Sequence, residues 1–299
     1  MTLKVIHRLF FGFDGSEDPY LGYLETWKKQ LPEYEIKYWN ADNLPMELND
    51  YVRRLYSARD HAFLSDYFRW WLLREHGGIY LDADVEVIDG RKFSRVIENL
   101  QNALDYDSVI GIDEATGGWF TAHSMASKAN SDLAEFMCEV YENMGPLALW
   151  RRKIFYFMAP QLVGLFFTSR GVNPDGMGSH PGLLTPTVAA RTLILPQDYF
   201  SPVTPRMESG IGSFEVTGYT ENTSICHHFS GSWHTPDSPY FSAIEARKSL
   251  GNILLDEQIQ LMASYKKPSR SHKLLRVSRK LVKSLPVWVR LVKESIRSA

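Results

Sequence analysis

Residues 59–90 read RDHAFLSDYFRWWLLREHGGIYLDADVEVIDG, and this stretch decides the fold. From Arg59 to His76 apolar residues recur at helical spacing, at Ala62, Phe63, Tyr67, Trp70, Trp71 and Leu73. Gly77 and Gly78 end that helix, because glycine adopts the left-handed backbone that a helix C-terminus often needs. Ile79, Tyr80 and Leu81 follow as a short β-branched and aromatic run, the pattern of a buried strand. The strand runs into Asp82-Ala83-Asp84. In extended chain, residues two apart point the same way, so both carboxylates project together from the carboxyl end of a buried strand. In open α/β sheets that end is where ligands bind.

Two neighbouring carboxylates repel each other unless a cation lies between them. A lone D-x-D triplet is also compatible with a solvated acidic turn. Asp66 and Arg69 lie one helical turn apart on the preceding helix and share a face, either as an internal ion pair or as part of the same site. Together they form a long string, S-D-x-x-R…G-G-I-Y-L-D-x-D.

That string resembles the signature of glycosyltransferase family 32, the DXD-motif sugar-transferring enzymes. The family includes bacterial capsular-polysaccharide transferases and yeast α-mannosyltransferases, with the catalytic domains of clostridial glucosylating toxins as distant relatives. The resemblance extends from VIHRLFFG at the start to HHFSGSW near residue 230. It implies a GT-A fold, an α/β class built on a Rossmann-like mixed sheet with added helices. It also implies retaining transfer of a sugar from a UDP- or GDP-sugar to a glycan or lipid-linked saccharide, in bacterial surface polysaccharide (capsule) synthesis. By the same resemblance Asp84 is the main ligand of a divalent cation, Mn²⁺ or Mg²⁺, and Asp82 bridges that cation and the donor ribose. Arg69 steadies the donor, Asp66 holds a sugar hydroxyl and Tyr80 joins the donor-binding set.

Outward from the central stretch, Leu3, Val5, Ile6, Leu9, Phe10 and Phe11 read as a first buried strand closed by Gly12. His7 within it reads as a satisfied core histidine. In the resembling family an aromatic before this glycine stacks on the nucleotide base, which corresponds best to Phe10; the alternative is a core phenylalanine. Pro19–Leu31 carries Leu21, Leu24, Trp27 and Leu31 on one helical face, and Tyr34–Trp39 reads as a second strand. This β–α–β opening is that of a nucleotide-binding sheet, and Trp39 and Asn40 at the second strand's end are placed to flank base or ribose. Helices are expected over 47–56, 94–104, 130–144 and 152–169, and strands over 108–112, 119–123 and 192–195. Trp119 is a candidate sugar platform or a core aromatic. Residues 171–186, rich in Gly and Pro, read as a long loop of the kind that often forms a lid.

Near the other end of the resemblance, Ser224–Ser232 reads SICHHFSGS, with Trp233 after it. Alternation sets Ile225, His227 and Phe229 against Cys226 and His228, so the two histidines cannot both reach one metal. Related enzymes place a ligating histidine three residues before a glycine. His228 has that spacing to Gly231, and the resemblance therefore implies His228 as the further metal ligand. Ser232 and Trp233 match the family's pair that closes over the diphosphate, with Trp233 contacting the leaving group.

The chain has 299 residues, enough for one large domain or two small ones, and 44% hydrophobic against 23% charged residues, which suits a globular protein. The formal net charge of −2 conceals an asymmetry, because residues 266–299 hold eleven Lys or Arg and the single acid Glu294. We therefore expect a catalytic domain over 1–265 and a basic amphipathic tail over 266–299. Cys138 and Cys226 form neither a metal pattern nor a disulfide framework, so a reduced, cytoplasmic setting is expected. The N-terminus shows no signal region, and no run of about 18 apolar residues could span a membrane. In the tail, Leu274, Leu275, Val277, Leu281, Val282 and Leu285 recur at helical spacing among the cations, with Pro286 and Trp288 beyond. A helix packed on the domain or a nucleic-acid arm are alternatives. The apolar stripe with Trp288 fits an interfacial helix on an anionic membrane best, which would make the protein peripheral on the inner membrane face and leave nucleic acid out.

Three rival readings carry other chemistry. Aspartyl-phosphate phosphatases also open on strand-then-D-x-D, but on the first core strand, whereas here two strand–helix units precede it. A calcium loop over 82–93 fails, because Val87 stands where glycine is needed and Phe93 where glutamate is needed. A catalytically silent nucleotide-sugar binding protein would keep the same donor residues.

Overall fold

The computed structural model describes residues 3–113, 119–144, 159–172, 185–205, 214–216 and 218–230. The chain opens with β1 (Val5–Leu9), α1 (Leu21–Gln30) and β2 (Glu35–Trp39). The two strands pair in parallel with Ile6 opposite Ile36. Next come α2 (Asp50–Ser57), α3 (His61–His76) and β3 (Gly78–Leu81). Asn49 caps α2 by accepting the Val52 N–H at 2.9 Å, satisfying one donor the first helical turn leaves open. Strand β3 lies parallel to β1 on the side opposite β2. The order of strands therefore reverses at β1, and the carboxyl ends of β1 and β3 border the crevice that such a reversal creates.

The chain continues through β4 (Val85–Val87), α4 (Gly90–Asn102), β5 (Ser108–Asp113), β6 (Trp119–Ser127), α5 (Asp132–Met144) and α6 (Ala159–Ser169). It then forms β7 (Thr187–Ala189), β8 (Thr192–Leu195), α7 (Gln197–Phe200), β9 (Val203–Pro205), β10 (Phe214–Val216) and β11 (Ile225–His227). The main sheet has seven strands in the order β2-β1-β3-β6-β5-β8-β7. β6 runs antiparallel to both β3 and β5, and β8 parallel to β5, so the sheet is mixed. β4 and β11 form a separate antiparallel ribbon with His227 opposite Val85, and β9 and β10 form another. This is the α/β class with a Rossmann-like mixed sheet and added helices that the sequence predicts.

The Gly-Gly stop is required twice over. Gly77 and Gly78 have φ of 64° and 101°, and a Cβ on either would approach backbone at 2.7 Å, Ala129 N in one case and Val5 O in the other. Their absence of side chains lets β3 leave α3 and enter the sheet beside β1 at once. The burial of α3 is wider than a single stripe. Leu64, Phe68 and Leu72 are buried along with Tyr67, Trp70 and Leu73, whereas Ala62, Phe63 and Trp71 are half-buried. α3 packs against α2 and α5 as well as β1, β3 and β6, so it has no single solvent face to impose a clean period.

One strand is longer than its sequence suggests. β6 is expected over 119–123 and runs on to Ser127. Its second half, Ser124-Met125-Ala126-Ser127, is buried although half of it is polar, because it sits between β3 and β5. A buried cluster joins α1 and α4 to the strands through Leu24, Trp27, Leu31, Phe93, Ile97 and Leu100, packed with Ile6, Ile79 and Leu81. Trp27 anchors α1 to the ribbon by donating its indole N–H to Val85 O at 2.7 Å. Among the described residues no helix is long and apolar enough to cross a membrane. The 265/266 boundary, the basic tail and most of the 171–186 loop lie outside the described residues.

Candidate active site

The carboxyl edge of the parallel strands gathers the expected residues. Asp82 follows β3 directly, and its backbone N–H donates to His123 O of β6 at 2.8 Å. The chain then turns, with Val85 N–H donating to Asp82 O at 3.1 Å, so that Asp84 is delivered to the start of β4. The β4–β11 ribbon brings the distant His227 to the same place. One ligand atom from each of Asp82, Asp84 and His227 lies within 4.8 Å of the others.

Each carboxylate is held differently. Asp84 Oδ1 lies 3.4 Å from His227 Nε2, and Asp84 Oδ2 accepts the Ser230 N–H at 2.9 Å and the Ser230 hydroxyl at 2.7 Å. Burial alone would raise its pKa, but the imidazole and the two Ser230 donors outweigh that and hold the carboxyl well below the usual range. Asp82 Oδ1 accepts the Tyr80 hydroxyl at 2.5 Å and lies 3.4 Å from Arg69 Nη2. Its pKa is raised by burial, with Arg69 opposing and the Asp84 charge adding. The two aspartates are therefore pushed apart in proton affinity, as two acids sharing one site are.

Arg69 links them to the helix behind. Its guanidinium meets Asp66 at 3.0 Å, donates to Ala122 O at 2.5 Å and lies over the Tyr80 ring at 5.0 Å. Burial disfavours its charge, and Asp82, Tyr80 and Asp66 more than restore it. Asp66 is the least comfortable of the group. Burial raises its pKa to about 6 against the pull of Arg69, even though the Ala159 N–H at the start of α6 also donates to it. The pair is thus an internal ion pair and at the same time part of the site, through the reach of Arg69 to Asp82.

The structure separates the two histidines of the HHFSGSW string in the sense opposite to the expected one. His228, expected as the metal ligand, turns away, with Nε2 at 2.9 Å from Glu86 and its ring stacked on Tyr23 at 4.5 Å. His227 takes the place beside the aspartates. The cause is the ribbon's register: His227 lies opposite Val85, on the side that faces Asp84 and β6, and spacing to Gly231 carries no information about that pairing.

At the end of β1 Phe10 is half-buried while Phe11 is in the core, stacked with Phe13 and near Phe68. Trp39 ends β2 with its indole N–H donated to His7 Nδ1 at 3.1 Å and its ring stacked by His76. His7 Nε2–H then donates to Gly77 O at 2.9 Å, and burial lowers the His7 pKa to about 4, so the ring is a neutral core histidine as its sequence position predicts. Trp39 is therefore partly committed to holding β1 and α3 together. Asn40 is exposed and orders its own turn, accepting the Asp42 N–H at 2.9 Å. Ser232, Trp233 and the Trp119 side chain lie outside the described residues.

Sequence reading missed Ser230, Tyr20 and His123. Ser230 Oγ, already on Asp84, also meets the Tyr20 hydroxyl at 2.9 Å, which ties the loop before α1 to the site. The HHFSGSW string contained Ser230, but no local pattern announces which carboxylate it caps.

Two carboxylates and one imidazole form an oxygen-rich donor set that suits Mn²⁺ or Mg²⁺ better than zinc. The juxtaposed carboxylates, one of them raised in pKa, are the arrangement a divalent cation relieves. Residues 18–102 match the family model of the glycosyltransferase sugar-binding region containing the DXD motif, a span that includes Asp66, Arg69, Asp82 and Asp84. No curated protein sequence matches the chain. Similar solved structures include the PaToxG glycosyltransferase, 13% identical with a TM-score of 0.43 over 56% of this chain and 68% of that one. The galactosyltransferase LgtC, solved with donor and acceptor sugar analogs, is 12% identical with a TM-score of 0.38 over 90% of this chain and 99% of that one. Mouse xyloside xylosyltransferase 1 is 13% identical with a TM-score of 0.37 over 74% of this chain and 96% of that one. Over residues 18–102 the chain is thus similar to the sugar-binding region, DXD motif included, of glycosyltransferases.

Proposed function

We propose that this protein is a metal-dependent, retaining glycosyltransferase that moves a sugar from a UDP- or GDP-sugar to a saccharide or lipid-linked glycan in surface polysaccharide synthesis. The observation that carries the reading is the convergence of Asp82, Asp84 and His227 at the strand-order reversal, with Arg69 joining Asp82 to Asp66. Asp82, Asp84 and His227 would hold Mn²⁺ or Mg²⁺. The bound cation supplies positive charge against the diphosphate as it leaves, the kind of electrostatic stabilisation that is usually the largest catalytic effect.

The chain's own residues bind and orient. Phe10, half-buried at the end of β1, stacks on the base, and Asn40 stands at the neighbouring strand end. Arg69 stays charged and fixes Asp82 through one contact and Asp66 through another, so the donor meets a preset pair of carboxylates. Asp66 accepts a hydroxyl of the transferred sugar. Ser230 fixes Asp84 in place by donating both its N–H and its O–H. Ser232 and Trp233 follow closely in sequence, which supports a role over the diphosphate. In the transfer the bond from the sugar carbon to the β-phosphate oxygen breaks, and a bond from that carbon to the acceptor oxygen forms on the same face. The acceptor's proton goes to the departing phosphate, so no protein base is required.

The test is incubation of the full chain with Mn²⁺ and a panel of nucleotide sugars, with the released nucleotide and the anomer of the product read by NMR. Transfer with retention that disappears in Asp84→Asn supports the reading. Phosphate release from a monoester would redirect it to a phosphohydrolase, and donor binding without turnover to a silent binding protein.

A further inference from the structure

We propose that His123 is a positioning residue that sets the ring plane of His227 and so tunes the affinity of the site for its divalent cation. The inference rests on the metal-dependent reading above. Three observations carry it.

The first is the stack. The His123 and His227 rings lie 4.1 Å apart between centroids and within 16° of parallel. Phe229 packs on His227 from another direction, also at 4.1 Å, tilted by 56°. A ring confined in this way has little freedom to turn about its terminal side-chain bond. Its Nε2 is thereby kept on Asp84.

The second is that His123 cannot turn either. It is buried, at 6% exposure, and both of its ring nitrogens are engaged. Nδ1 meets Ser124 Oγ at 2.8 Å and Nε2 meets Ser201 Oγ at 2.9 Å. Ser124 belongs to β6 and Ser201 follows α7, so the ring is fixed from two separate parts of the fold. With both nitrogens occupied, His123 is a wall for the ligand set rather than a ligand.

The third is that the same residue serves a second ligand. The His123 carbonyl accepts the Asp82 N–H at 2.8 Å. One position on β6 therefore fixes the backbone of Asp82 and the imidazole of His227, two groups separated by nearly half the chain. Partners behind metal ligands typically change affinity by about 10–100-fold when removed. A side-chain substitution leaves the carbonyl in place and isolates the contribution of the ring.

The experiment measures Mn²⁺ affinity by titration calorimetry on the full chain without donor, for the unaltered protein, His123→Ala, His123→Phe and His227→Ala. A denaturation midpoint is recorded for each. His227→Ala should lose most of the affinity. His123→Ala should bind about tenfold more weakly, and His123→Phe, which restores a flat ring without nitrogens, should recover most of the loss. Affinity in His123→Ala equal to that of the unaltered protein overturns the inference, as does a folded His123→Phe that binds no better than His123→Ala. Should His123→Ala fail to fold, His123→Leu decides: it fills the space without a flat ring to stack on His227, and affinity in that variant equal to that of the unaltered protein overturns the inference. Absence of Mn²⁺ binding in the unaltered protein would overturn the metal reading and this inference together. Normal binding that is indifferent to His123 overturns the inference alone.

Discussion

Replacing Asp66 with asparagine should make the protein more stable at neutral pH relative to acid, while impairing transfer. The carboxyl sits behind the site with its side chain 18% exposed, so solvent screens it little. Burial raises its pKa from 3.8 to about 6, with Asp82 and Asp60 adding and Arg69 opposing. A folded-state value above the unfolded one means that the contribution to stability is fully present below about pH 4 and is lost as pH rises through about 6. A displacement of this size corresponds to ~3 kcal/mol lost over that interval. Asparagine keeps an acceptor for the Ala159 N–H and carries no charge to bury. Arg69 retains Asp82 and Ala122 O as partners, and its attraction to the ionised Asp66 is already contained in the value of about 6. The assay is urea denaturation of both proteins at a series of values from pH 4 to pH 7. The stability difference should move by ~2–3 kcal/mol in favour of asparagine as pH rises, with the change concentrated below about pH 6.5. A difference that stays constant over the interval would refute the account of Asp66. Such a trade of stability for function is common where a site requires a buried charge.

Other substitutions separate the remaining readings. His227→Ala should lose Mn²⁺ binding and His228→Ala should keep it; the reverse result would mean that the ribbon pairs in another register in solution. Phe10→Ala should weaken nucleotide diphosphate binding by ~1–3 kcal/mol with little effect on stability, whereas Phe11→Ala should destabilise the fold by ~3–5 kcal/mol; equal nucleotide affinity in a folded Phe10→Ala protein would return Phe10 to the core. Gly90→Ala should cost at least ~2 kcal/mol on chemical denaturation, because the added Cβ would stand 1.9 Å from Gln30 O at the contact of α4 with α1. The full chain should co-sediment with anionic liposomes in a salt-sensitive way and a chain ending at Tyr265 should not; equal sedimentation of the two removes the lipid role of the basic tail.

What the sequence alone determines here is local. The helix over 61–76, its Gly-Gly stop and the strand into Asp82-Ala83-Asp84 follow from periodicity, glycine's backbone freedom and alternation, all of which act within a few residues. The same holds for the β–α–β opening and for His7 as a core group. The partnership of Asp66 with Arg69 is legible because helical geometry places them one turn apart. Tertiary structure decides whatever depends on which strands become neighbours. β6 lies buried between β3 and β5 despite its serines, and only that position places His123 beside Asp82. The choice between His227 and His228 is a matter of strand register, where a slip of one residue exchanges the two faces. Trp39, legible as a strand-end aromatic, is drawn into a hydrogen bond with His7 because β1 and β2 pair in parallel. The pKa of Asp66 belongs to the same class, since burial is set by α6 and β6 arriving from more than fifty residues away and by the water they exclude.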